Sequence, residues 1–112
     1  MIDWKSIFKD ADWFHWSGIT PSLSQDLAEL CEEALHVADK MGLTISADLN
    51  YRPTLWKYGK KANEVMPNLV KYCDLLLGGA DETENVLGIE FNEDDTQEAI
   101  FSSWMKAFPK LK

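Results

Sequence analysis

Apolar positions alternate between strand-like runs and helical stripes along the chain. Residues 12–19 (DWFHWSGI) form an apolar, aromatic run ending at Gly18-Ile19-Thr20-Pro21, which predicts a strand entering a turn. Ser22 and Gln25 then stand at capping-box spacing. Behind them Leu27, Cys31, Ala34, Ala38 and Met41 share one helical face, with Gly42 as a natural stop. Residues 43–49 (LTISADL) predict a second strand, buried on both faces and limited by Pro53. Ala62, Val65, Met66, Leu69, Val70 and Cys73 form another helical stripe; Pro67 interrupts it and predicts a kink or a fresh helical start. Residues 74–77 (DLLL) read as a short, buried third strand, followed by Gly78-Gly79 and an acidic helical turn over 80–87 that Gly88 stops. A last helix is expected over about 95–108, with Asp95 and Glu98 at capping-box spacing and Ile100, Phe101, Trp104, Met105 and Phe108 facing inward.

This order predicts right-handed crossovers and an α/β fold: a parallel sheet of about three strands with flanking helices, in one segment spanning residues 1–112. Three parallel strands leave both sheet edges unpaired, so self-association through those edges, or a larger surrounding fold, is expected.

Composition changes this picture in one respect. Five Trp, three Tyr and five Phe are many rings for 112 residues, so some should meet another part of a larger protein, a partner or a ligand. The net charge of −8 and the scattered lysines argue against nucleic acid and anionic membrane as partners. The longest apolar runs fall far short of a membrane span, and residues 1–5 lack a basic-then-apolar leader. Cys31 and Cys73 lie on helical stripes, without a CxxC pair or a ligand cluster with His15 or His36. They read as buried free thiols of a cytoplasmic protein.

Candidate chemistry sits at the carboxyl ends of the strands, where open parallel sheets gather ligands. In Asp48-Leu49-Asn50-Tyr51-Arg52-Pro53, strand alternation would send Asp48, Asn50 and Arg52 to one side. Pro53 keeps Arg52 out of helical geometry. Its planar guanidinium suits a carboxylate or phosphate, and equally an ion pair with Asp48 that closes a loop. The turn Ser17-Gly18-Ile19-Thr20 offers hydroxyls and free N–H groups, or plain turn chemistry. The acids after Gly78-Gly79 suit either a helix start or a Mg²⁺-phosphate site. No P-loop and no GxSxG elbow occurs in the sequence. His15 reads as a hydrogen-bonded structural residue and His36 as a surface or boundary residue.

Three strings, DWFHWSGITPSLS (12–24), SADLNYRPTLW (46–56) and CDLLLGGADETENVLGI (73–89), resemble consecutive segments of 2-keto-3-deoxygluconate kinases, in the ribokinase-like PfkB carbohydrate kinase family. The resemblance covers essentially the whole chain. It implies a three-layer sandwich with a β lid, and ATP-dependent, Mg²⁺-assisted phosphorylation of the sugar acid's terminal hydroxyl. It places the sugar carboxylate on Arg52 and the sugar pocket at Ile19. Asp48 and Asn50 would stand beside the phosphate path and support Arg52. The family's N-x-x-E element would fall on Gly79 to Glu82, making Glu82 the metal-linked acid, although Gly79 replaces the Asn.

The family's catalytic Asp lies in a G-x-G-D motif, which this sequence does not contain; the amino-terminal glycine pair and the lid strands are missing too. The resemblance therefore implies the central part of a larger kinase domain, without the lid and the carboxyl-terminal nucleotide and catalytic part. Such a chain would be inactive alone and would hold neither ATP nor Mg²⁺ by itself. The competing expectation is a non-catalytic α/β module that binds a sugar acid or a phosphorylated small molecule.

Overall fold

The computed structural model describes residues 2–112. A single-turn helix, α1 (Trp4–Ile7), leads into β1 (Trp13–Ser17). Two helices follow, α2 (Ile19–Leu23) and α3 (Gln25–Lys40), then β2 (Thr44–Asp48) and α4 (Ala62–Val70). The chain ends with β3 (Leu75–Leu77), the short α5 (Asp81–Asn85) and α6 (Gln97–Ala107). The three strands are parallel in the order β1-β2-β3. The α/β alternation is thus the one the apolar pattern predicts, with helices α1 and α2 added.

Local chemistry explains where the helices begin. The turn after β1 is itself a helix, in which Pro21 occupies the first turn, where its missing N–H costs nothing. The Ser22 hydroxyl is spent inside that turn, donating to the Ile19 carbonyl. The cap of α3 is therefore Ser24, two residues beyond the expected Ser22, and its oxygen accepts from Leu27 N at 3.1 Å. At α6 the cap is Thr96 instead of Asp95, because the Asp95 carboxylate accepts from Asn92 N in the preceding loop. One helix runs through Pro67 from Ala62 to Val70, without restarting there.

The strand register sorts side chains onto two faces. Phe14, Trp16, Ile45, Ala47 and Leu76 share one face and pack in a continuous core with Leu35, Met66, Leu69, Val70, Val86 and Trp104. Trp13, His15, Ser46, Leu75 and Leu77 share the other. On that second face the Trp13 indole donates to the Ser46 hydroxyl at 2.7 Å, and His15 Nδ1 lies 2.8 Å from the same oxygen. His15 is thus a hydrogen-bonded residue of the sheet.

The third strand differs from its expected burial. Leu75 and Leu77 are 40% and 59% exposed, and Trp13 is 55% exposed. Among the described residues no helix covers the face they share. Met41 and Met105 are likewise exposed, although they sit on the helical stripes.

Cys31 and Cys73 are both buried and unbridged. Burial pushes each thiol up to about 12. Both should stay unmodified by an aromatic disulfide reagent at pH 8 until denaturant is added. The unfolded thiols ionise first, so stability should fall as pH rises from about 9 towards 12. Urea unfolding at pH 8 and pH 10 checks this; equal stability at both would count against it.

Candidate functional site

The three strand ends meet through backbone approach. Gly18 N donates to the Asp48 carbonyl at 2.9 Å, and Leu49 N donates to the Leu77 carbonyl at 2.9 Å. A Cβ on Gly18 would lie 2.0 Å from the Leu49 carbonyl oxygen, so only glycine fits between β1 and the end of β2. Leu49 is fully buried beneath this junction.

Beyond Asp48 the strand geometry stops. Asn50 has φ +44°, a left-handed conformation that Asn tolerates better than most residues. Strand alternation therefore does not carry through to Arg52, contrary to the sequence-based expectation. Polar contacts set the path instead. Asp48 Oδ1 accepts from Asn50 N at 3.2 Å, and Asn50 Nδ2 donates to Ser17 Oγ at 3.0 Å. The same Ser17 oxygen accepts from Ile19 N at 3.1 Å. Asp48, Asn50 and Ile19 are thus brought together at one rim, through a serine that the sequence marked only as a turn hydroxyl.

Glu82, on α5, spans the junction between β2 and β3. Its Oε2 accepts from Tyr51 N at 3.0 Å and its Oε1 from Gly79 N at 2.7 Å. The next residue, Arg52, starts a turn closed by Leu55 N donating to the Arg52 carbonyl at 3.0 Å, with Pro53 at the second position. Arg52 is exposed and forms no ion pair with Asp48; the ion pairs among the described residues all involve Lys110 or Lys112. Farther along, Tyr58 Oη donates to the Pro21 carbonyl at 2.6 Å, tying the 51–61 loop to α2. No local pattern in the sequence marks Tyr58 for this role.

A model of the pfkB family carbohydrate kinases matches residues 1–107. The chain belongs to this family of carbohydrate kinases. It is 37% identical over 84 residues to the 2-dehydro-3-deoxygalactonokinase of Haloferax volcanii, an alignment spanning 75% of this chain and 26% of that protein. Its fold matches the 2-dehydro-3-deoxygluconokinase of Thermotoga maritima with a TM-score of 0.81 and 39% identity, over 96% of this chain and 33% of the other. A PfkB family carbohydrate kinase from Listeria grayi has the same fold, with a TM-score of 0.81 and 23% identity, over 99% of this chain and 33% of that one. The chain thus spans between a quarter and a third of the length of these relatives.

Within this pfkB family chain, Glu82 is the rim acid that the resemblance links to magnesium. Among the described residues no group of three or more His, Cys, Asp or Glu side chains is arranged to hold a metal ion. Both Glu82 oxygens already accept backbone N–H groups. Glu82, the acid that the resemblance links to a metal, is thus engaged by two backbone amides. The departure at Gly79 has a spatial counterpart: a Cβ there would lie 2.7 Å from Asp81 Oδ1.

Proposed function

We propose that this chain supplies the sugar-acid recognition segment of an ATP-dependent kinase acting on 2-keto-3-deoxygluconate or its near epimer. The observation that carries this reading is the Arg52 loop. The Asp48 and Glu82 carboxylates hold the Asn50 and Tyr51 N–H groups that lead to it, yet the guanidinium itself is exposed and unpaired among the described residues. A planar donor fork without a partner, at the carboxyl edge of a parallel sheet, suits a ligand carboxylate. The names of the relatives at 37% and 39% identity support a ketodeoxy sugar acid as that ligand.

In this reading Arg52 holds the carboxylate and sets the direction of the sugar's far end. Ile19 lines the pocket, while Asp48 and Asn50 keep the rim in shape. The phosphoryl group would come from ATP, whose binding, with its Mg²⁺, needs residues that this sequence does not contain; the same holds for the base that takes the hydroxyl proton. This segment is the central part of that domain, and alone it transfers no phosphate. The edge strands β1 and β3 are where further strands, or a second copy of the chain, would attach.

Calorimetric titration with 2-keto-3-deoxygluconate tests the proposal. Arg52→Ala should weaken binding at least about tenfold, since a hydrogen bond to a charged group contributes ~1.5–3 kcal/mol. Arg52→Lys should fall between the two, keeping the charge but losing the fork. Binding indifferent to Arg52 would overturn the assignment, and ATP turnover by this chain alone would overturn its incompleteness.

A further inference from the structure

Glu82 has a local role that accounts for only half of its contacts. Its Oε1 accepts from Gly79 N while its own N–H donates to the Gly79 carbonyl at 3.1 Å, a reciprocal pair like that of a capping box. A helix start needs nothing more. The second oxygen instead crosses to the loop after β2 and accepts from Tyr51 N, 31 residues earlier in the chain.

Tyr51 is the last residue before Arg52. Its predecessor, Asn50, is already held on both sides, by Asp48 Oδ1 at its N–H and by Ser17 Oγ at its side chain. Asn50 sits in a left-handed conformation outside any strand ladder, so the N–H of the Asn50–Tyr51 peptide finds its acceptor in Glu82 and not in a neighbouring strand. Gly78 allows the carboxylate to come close: a Cβ there would lie 3.1 Å from Glu82 Oε1 and 2.8 Å from Leu49 Cδ1.

We propose that Glu82 is a positioning residue for sugar-acid binding: its carboxylate clamps the Tyr51 and Gly79 amides together and so sets where the Arg52 guanidinium points. This rests on the reading of Arg52 as the carboxylate clamp. The two amide contacts give Glu82 a hydrogen-bonding role that needs no metal.

Glu82→Gln is the informative variant, because its amide offers one acceptor where the carboxylate offers two. One of the two backbone N–H groups must then face an NH₂. Amide exchange at Tyr51, Gly79 or both should quicken by about tenfold or more, as expected for losing a charge-assisted bond. Ile45 and Ala47 in β2 should keep their protection. The order parameter of the Arg52 amide should fall, and the dissociation constant for 2-keto-3-deoxygluconate should rise about tenfold. Combined with Arg52→Ala, Glu82→Gln should add little further loss, since it acts through Arg52.

Three results would overturn the proposal. One is unchanged exchange at both Tyr51 and Gly79. Another is full additivity of the two substitutions. The third is a Mg²⁺-dependent shift of the Tyr51 and Gly79 amide resonances in the unsubstituted chain, which would return Glu82 to the metal. Failure of the underlying reading looks different: the unsubstituted chain would not bind the sugar acid at all. The clamp would then be judged on the exchange and order-parameter measurements, where an unchanged Arg52 amide counts against it.

Discussion

Gly18→Ala should destabilise the fold by about 3 kcal/mol, at the upper end of what overpacking usually costs. The added Cβ would lie 2.0 Å from the Leu49 carbonyl oxygen, 2.9 Å from its carbonyl carbon and 3.2 Å from Met66 Cε. The Met66 side chain can give way, but the Leu49 backbone cannot easily do so. Its N–H is held by the Leu77 carbonyl, and its side chain is fully buried. Backbone strain contributes nothing, because φ −62° and ψ −12° at residue 18 suit any amino acid. The cost is therefore one of space. Relief requires β1 and the end of β2 to separate, which would also break the bond from Gly18 N to the Asp48 carbonyl. Urea unfolding measures this directly. A loss below about 1 kcal/mol would show that the strand ends can part cheaply, contrary to the packing described.

Trp104→Ala should be comparably damaging, at about 3–5 kcal/mol. Trp104 is 3% exposed and is the main anchor of α6. Its ring meets Phe101 edge-on at 4.8 Å between centroids, a favoured aromatic geometry. Its indole N–H donates to Thr83 Oγ1 at 2.9 Å, and Thr83 is completely buried. Removing the ring thus opens a large cavity and takes from the hydroxyl its indole partner. Thr83→Val separates the two effects: it keeps the shape, leaves the indole N–H without an acceptor, and should cost about 1–3 kcal/mol. The double variant should cost less than the sum, since both substitutions break the same bond. Full additivity would mean that the indole–hydroxyl contact contributes little. Because α5 carries both Thr83 and Glu82, loss of Trp104 should also loosen the Tyr51 amide.

Much of the fold was legible in the sequence because its signals are local. Val65, Met66, Leu69 and Val70 announce α4 by spacing alone, and residues 44–48 announce β2 by their run of small and β-branched residues. Helix starts are legible only to within one or two residues, since several hydroxyls and carboxylates compete at each. Ser22 loses to Ser24 once α2 has used its hydroxyl, and Asp95 loses to Thr96 once its carboxylate turns to Asn92. The candidate site was legible as a set of residue types but not as a geometry. Asp48 and Asn50 were expected on one side with Arg52, and the left-handed turn at Asn50 removes the periodicity on which that rested.

By itself, then, the sequence determined the alternation of strands and helices, the family-like strings at the three strand ends, and the presence of a lone Arg after the second strand. These follow from neighbours a few residues apart. Only the tertiary structure decided that one sheet face stays open at Trp13, Leu75 and Leu77, and that the rim is tied from Ser17 to Asn50 and from Glu82 to Tyr51. Those ties join residues 33 and 31 positions apart. A hydrogen bond at that separation leaves no periodicity in the chain. It exists only because packing of the buried face brings the strand ends within reach of one another.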